Sequence, residues 1–367
     1  MTLSVCTPTP LRLPRIGYVP YSSTLERPGD RRRFVQYARR RNLDFEIADP
    51  DKQYDLVVLS ECADISVWGR YPHGKIVYDL IDSYLAIPRS DLKGLLRGTA
   101  KFLSRQSRYF QFDHWKALAA MCRRADAVIC STEEQSKDIA RYNTNVHIVL
   151  DIHSSVTHRV KTDFSAHQPF RLVWEGLPQT MGSLNQIKPT LDILRKRHPL
   201  ALHLVTDPEH YRYLGRYGKA NTLDVARGIL PDVQLHEWKA SDCADIICSC
   251  DLAVIPIPLD DPFAAGKPEN KLLLLWRLGM PVVTSATPAY TRAMALAGLN
   301  LACIGQDQWI EAIERLICEE GERREAGTKG RAYAEEEVSE ERLLARWDQV
   351  FSSIGFNFGS DLAHEPT

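Results

Sequence analysis

Two lysines four residues apart, Lys267 and Lys271, straddle what reads as the start of a helix. They lie within the stretch DLAVIPIPLDDPFAAGKPENKLLLLWRLGMPVVTS, residues 251–285. A buried strand ends there at two prolines and two aspartates, and a loop of small residues leads to Lys267. Pro268, Glu269 and Asn270 suit a first helical turn, Leu272 to Leu275 pack inward, and Gly279 closes the helix. Two ammonium groups at a helix N-terminus, beyond the C-terminal end of a strand, make a place for a doubly charged phosphate group. The plainer alternative is a solvated helix start, which leaves the apolar and punctuating residues around the pair unexplained.

A second candidate is Asp82, which closes the strand-like run 75–81 and competes between a catalytic carboxylate and a helix N-cap. His73 and His153 lie in nearby strand-end loops, where a lone histidine is usually structural. Ser22 and Ser23 follow the first strand and precede a basic run, Arg31-Arg32-Arg33 and Arg39-Arg40-Arg41. The basic residues Lys93, Arg97, Lys101, Arg105 and Arg108 alternate with Leu92, Leu95, Leu96, Phe102, Leu103 and Tyr109, a cationic amphipathic pattern. Such a face lies on anionic lipid, holds a phosphorylated acceptor, or simply covers its own sheet. No His, Cys, Asp or Glu spacing suits a metal, and Cys248 and Cys250 are too close for a C-x-x-C pair.

Short apolar runs at 15–21, 44–48, 54–60, 75–81, 127–131 and 146–151 read as strands separated by helices, notably 30–41, 91–124 and 133–142. After a polar break at 162–168 the rhythm restarts at 171–175, 200–206, 233–237, 251–257, 281–285 and 301–304. That rhythm predicts an α/β chain of two doubly wound, Rossmann-like domains facing each other across a cleft. The expected boundaries are 1–166 for the first domain, 167–338 for the second, and 339–367 for a last helix with a tail. That helix carries Leu343, Leu344, Trp347, Val350 and Phe351 on one stripe and is expected to pack back toward the first domain.

A length of 367 residues supports two domains, and 46 basic against 47 acidic residues exclude a dedicated nucleic-acid binder. The charge is unevenly placed: residues 1–168 hold 25 Lys+Arg and 19 Asp+Glu, the remainder 21 and 28. No run of about 18 apolar residues spans a membrane, and the N-terminus lacks a signal-peptide h-region. With nine cysteines, reduced thiols in a cytoplasmic protein are expected.

The 251–285 stretch resembles the donor-binding region of the GT-B glycosyltransferases, especially the family-4-like group. Members share its D-hydrophobic-P-L-P strand end, its K-L-L helix and its L-G-x-P-V-V-x-S close. RLVWEGLPQT, residues 171–180, is similar to the first strand and loop of their C-terminal domain, whose glycine lets a phosphate approach. The resemblance implies transfer of a sugar from a nucleotide-diphosphate sugar to a glycan, glycolipid or other anionic acceptor, with no cofactor and no metal. It implies catalytic roles for Asp82, Lys267 and Lys271 and donor contacts from Gly176, Thr180, Trp238, Asp261, Lys267, Glu269, Asn270 and Lys271. Acceptor contacts fall to Ser22, Ser23, Arg31 and Arg32 in the first domain. The expected setting is the cytoplasm, with peripheral contact at the inner face of the plasma membrane.

The chain departs from that pattern. The family's Glu-x7-Glu pair falls on Gly266 and Leu274, leaving Asp260, Asp261 or Glu269 for the sugar side. No basic residue follows Gly176. Two further readings therefore stand beside the transferase: a nucleotide-sugar 2-epimerase of GT-B-like fold, and a catalytically inactive GT-B binding module.

Overall fold

A computed structural model describes residues 13–88, 93–104, 106–213 and 217–359. Strands form where β-branched and leucine-rich runs are short and continuous; Leu56–Ser60 is buried at every position. In the first domain β1 (Ile16–Val19), β2 (Glu46–Ile47), β3 (Leu56–Ser60), β4 (Lys75–Asp79), β5 (Ala127–Cys130) and β6 (Val146–Ile148) build a sheet. Its order is β2-β1-β3-β4-β5-β6, and every pairing is parallel.

The second domain repeats the plan with β7 (Phe170–Glu175) and β8 (Leu200–Thr206), then a hairpin of β9 (Glu209–Tyr213) and β10 (Tyr217–Asn221). β11 (Val233–Glu237), β12 (Leu252–Ile255), β13 (Val282–Ser285) and β14 (Ala302–Cys303) complete a parallel sheet of order β11-β8-β7-β12-β13-β14. The chain reverses its direction of winding at β7/β12, and the carboxyl ends of those two strands open a crevice where ligands bind in such sheets.

Three findings differ from the expectations of the sequence. The helix expected over 30–41 is two, Pro28–Arg31 and Phe34–Arg40, parted at Arg32-Arg33. The segment 91–124 is two helices, Lys93–Leu103 and His114–Arg124, the second started by Asp113, whose carboxylate accepts from the Trp115 and Lys116 N–H groups. The hairpin β9–β10 carries too little alternation to signal a pair of strands.

The connection between domains is anchored at both ends of the crossing. Asp151 N–H donates to Asn270 Oδ1 at 3.0 Å, and Lys161 Nζ donates to the Cys250 carbonyl at 2.7 Å. Helix Glu320–Glu336 lies on helix Asn270–Arg277 so closely that a Cβ on Gly330 would come within 2.3 Å of the Trp276 ring. Helix Glu340–Ser352 then returns to the first domain, where Trp347 and Phe351 stack on Tyr37 at 5.5 and 5.2 Å. Tyr37 donates its hydroxyl to Asp348, and Arg41 pairs with the same carboxylate. One apolar cluster therefore runs through both domains.

Candidate active site between the two sheets

The second-domain wall starts at the end of β7. Trp174 is buried and lays its ring 4.8 Å from Lys271 Nζ. Gly176 follows, and a Cβ there would come within 2.6 Å of that nitrogen and displace the ammonium from the strand end. Lys271 sits in the first turn of helix Asn270–Arg277, with Lys267 just before it. Loss of water pulls the Lys271 ammonium down to about 8; Glu175 opposes that shift, while Lys267 and Arg32 add to it. Glu175 also accepts from Trp238 Nε1 at 3.1 Å, which fixes the indole beyond β11.

The first-domain wall is held by Asp30, fully buried, which accepts from Tyr18 Oη and from the Tyr21 and Ser22 N–H groups. The three arginines that follow diverge. Arg33 turns inward and clamps both Asp79 oxygens at 2.6 Å, with further bonds to the Val149 carbonyl and Asp151. Arg31 crosses the cleft and lies 4.6 Å over the Trp238 ring. Arg32 is 8% exposed, and its Nε has no partner.

Opposite Lys267 stands a pair of carboxylates. Asp82 N–H donates to Glu61 Oε2 at 3.0 Å, and Gln135 holds the same loop through the Leu80 and Asp82 carbonyls. Burial, then the neighbouring Asp82 charge, pushes Glu61 up to about 8. Burial raises Asp82 too, and the charges of Lys267 and Arg97 pull it back. Beside the pair the domains touch: Ser83 Oγ donates to the Gly266 carbonyl at 2.8 Å, and the Tyr84 and Phe263 rings are 5.0 Å apart. One lip thus offers lysines to an anion, and the other offers two buried carboxylates side by side.

No protein-family model and no curated protein matches this sequence. Solved structures match its fold. Anabaena HepE in complex with UDP-glucose is 12% identical and aligns with a TM-score of 0.62 over 93% of this chain and 100% of its own. Sucrose-phosphate synthase from Thermosynechococcus elongatus, 11% identical, gives a TM-score of 0.59 over 82% of this chain and 74% of its own. S. aureus TarM, 12% identical, gives 0.58 over 80% of this chain and 54% of its own, so this chain spans about half of TarM. The fold is GT-B.

In this GT-B frame the residues singled out from the sequence separate by where they lie. Gly176, Trp238, Lys267, Lys271, Arg31, Arg32 and Asp82 gather at the crevice. Arg31 and Arg32, expected on the acceptor side, lie beside Trp238 and in the field of Lys271. Others are engaged in local structure. Ser22 Oγ bonds to Asp30, Thr180 Oγ1 donates to the Leu177 carbonyl, Asp261 caps the short helix Pro262–Ala265, and Asn270 holds Asp151. Ser23 and Asp260 are exposed. Glu269 stands apart: burial pushes it up to about 7, against its own backbone N–H and Arg292, and its Oε2 is buried without a partner.

Glu61 carries no mark in the sequence pattern beyond its place, although an acid directly after a wholly buried strand is the signal that singles out Asp82. The basic amphipathic stretch is corrected in orientation. Arg97 turns inward to donate to Tyr84 Oη at 3.0 Å, and Lys101 is buried enough for its ammonium to be lowered, near Glu61 and Asp64. Phe102, Leu103, Tyr109, Phe110 and Phe112 are the exposed large apolar residues there, and Arg108 is exposed among them. Leu92, Arg105 and the side chains of Lys93, Leu95 and Leu96 lie outside the described part of the chain. Among the described residues no three His, Cys, Asp or Glu side chains gather as metal ligands.

Proposed function

We propose that this chain is a metal-independent glycosyltransferase that moves a sugar from a nucleotide-diphosphate sugar to a glycan, glycolipid or other anionic acceptor. The observation that carries the reading is Lys271, a desolvated cation without an ion-pair partner among the described residues, at the crevice of a Rossmann-like sheet and across from Asp82. Lys267, Lys271 and the first turn of helix Asn270–Arg277 receive the donor diphosphate. As the bond between the anomeric carbon and the β-phosphate oxygen breaks, the charge released onto that oxygen meets preorganised donors. The acceptor oxygen forms the new bond to the anomeric carbon and gives its proton to Asp82, with Glu61 beside it holding its own proton at pH 7. HepE, solved with UDP-glucose, makes UDP-sugars the first donors to try.

The setting belongs to the same proposal: peripheral contact with the cytoplasmic face of a membrane, through the exposed apolar residues Phe102, Leu103, Phe110 and Phe112. Incubation with a panel of UDP-, GDP-, ADP- and dTDP-sugars tests the activity. Slow release of nucleoside diphosphate by donor hydrolysis is the expected result. Conversion to the 2-epimer, or binding without turnover, would replace the reading with an epimerase or a binding module.

A further inference from the structure

Arg32 is the one residue of the Arg31-Arg32-Arg33 run that the fold leaves without a partner. The residue is 8% exposed, its Nε is buried and unbonded, and among the described residues no carboxylate or carbonyl receives any of its N–H groups. A buried charge in that condition is costly, and proteins keep one where something else completes it. Glu175, whose charge also acts on Lys271, already accepts from Trp238. Arg32 instead acts on other cations and donors: its charge lowers Lys271 and His153.

His153 adds an independent sign of the same deficit. It is 1% exposed, and Arg277, which can only donate, gives its N–H to His153 Nδ1 at 2.8 Å. The neutral ring therefore carries its proton on Nε2, and that donor is also buried without an acceptor. His153 adjoins Arg32 through the backbone, since Ile152 N–H donates to the Arg32 carbonyl at 2.8 Å. Donors thus accumulate at this wall without acceptors, while the loop after Gly176 (LPQTMGS, 177–183) brings no cation from the other side.

We propose that Arg32, from the first domain, is a direct ligand of the donor's diphosphate, so that the nucleotide-sugar site is completed across the cleft. The proposal rests on the reading of the crevice as a nucleotide-diphosphate site. A planar fork of N–H groups suits two phosphate oxygens at once, which neither lysine can match. Arg31 plays a different part. It covers the Trp238 ring and so supports the wall without offering its charge to the same place.

The test titrates UDP, GDP, ADP and dTDP into the full chain, then repeats the titration that binds with Arg32→Ala, Arg32→Met, Arg32→Lys and Lys271→Ala, using the matching nucleoside as control. Arg32→Ala and Arg32→Met should weaken diphosphate binding at least tenfold and leave nucleoside binding within twofold; Arg32→Lys should recover part of the loss. The unliganded Arg32→Met protein should melt no lower than the parent, because an uncompensated buried charge has gone. Diphosphate affinity unchanged in the Arg32 variants but lost in Lys271→Ala would overturn the role of Arg32 while keeping the site. A lower melting temperature with unchanged affinity would make Arg32 a structural residue. No binding of any diphosphate to the parent would remove the reading of the site, and this proposal with it.

Discussion

At pH 7 the Lys271 ammonium, brought down to about 8 by loss of water, is still charged, and an incoming diphosphate supplies the counter-charge that raises it again. Diphosphate affinity should therefore be flat up to about pH 7.5 and then weaken, approaching tenfold per pH unit well above 8, because binding must then recover a proton. Calorimetry from pH 6.5 to 9.5 reads this directly. Lys271→Ala should weaken binding by roughly 1.5–3 kcal/mol, the usual worth of a charged hydrogen bond, and remove the alkaline limb. The stability sign is opposite. Between about 8 and the ordinary 10.5 the unfolded chain holds the proton that the folded chain has lost, so this group makes stability rise with pH there.

The carboxylate pair gives a matching contrast. Glu61, at about 8, is protonated at pH 7, so Glu61→Gln should change the transfer rate by less than about fivefold near neutrality. Asp82→Asn removes the proposed proton acceptor and should lower the rate by about 100-fold or more while nucleotide affinity stays within twofold. Equal losses in both variants would show that the two carboxylates share the proton transfer. At this scale the sequence declared the lysines, because a strand end and a helix start frame them within a few residues. It named Arg32 only as an acceptor contact within a basic run and passed over Glu61, which carries no local pattern; what distinguishes Arg32 is the absence of a partner among the described residues, and only the folded chain can lack one.

Elements were more legible than residues. Twelve apolar runs correspond to the strands of the two sheets, since a parallel strand buried on both faces needs a continuous apolar segment. The single helix expected over 91–124 failed because residues 104–113 contain neither Gly nor Pro; the stop is set by Asp113 capping the next helix. Amphipathicity also showed that the helix Lys93–Leu103 has two faces without saying which one looks outward. Its Arg97 and Lys101 turn toward Tyr84 and Glu61, so the proposed membrane contact falls to the apolar side, with Arg70 4.5 Å over the Tyr109 ring at its edge. Substituting Leu103, Phe110 and Phe112 together by Ser should abolish co-sedimentation with vesicles containing anionic lipid and leave donor hydrolysis unchanged. Undiminished sedimentation would acquit the patch. On the other side of the domain, Trp347 is fully buried against Tyr37 and Phe34. Trp347→Ala should cost about 3–5 kcal/mol in denaturant unfolding, the range for truncating a core aromatic.

For the molecule as a whole, the chain passes between domains twice, once along 149–168 and again before helix Glu340–Ser352, so the two sheets can swing only about those crossings. The crossings are tied by buried contacts; the lips of the cleft are not. Across the cleft run the Arg292–Glu134 ion pair at 2.9 Å, the Ser83 bond to Gly266, the Tyr84–Phe263 ring contact and the Arg31 guanidinium over Trp238. A half-exposed ion pair contributes about 0–1 kcal/mol, a hydrogen bond and a ring pair each about 0.5–1.5 kcal/mol. A latch of that strength permits opening for donor entry and needs the donor's own contacts to hold the closed form. Arg292→Ala should therefore enlarge the radius of gyration of the ligand-free protein in X-ray scattering, and saturating nucleoside diphosphate should restore the parent value. The donor KM should rise by less than about fivefold with kcat unchanged, because the pair touches neither lysine nor the Glu61–Asp82 pair. A ligand-free radius identical to the parent's would mean that the lips are held by more than these contacts, and that donor entry does not proceed by their separation.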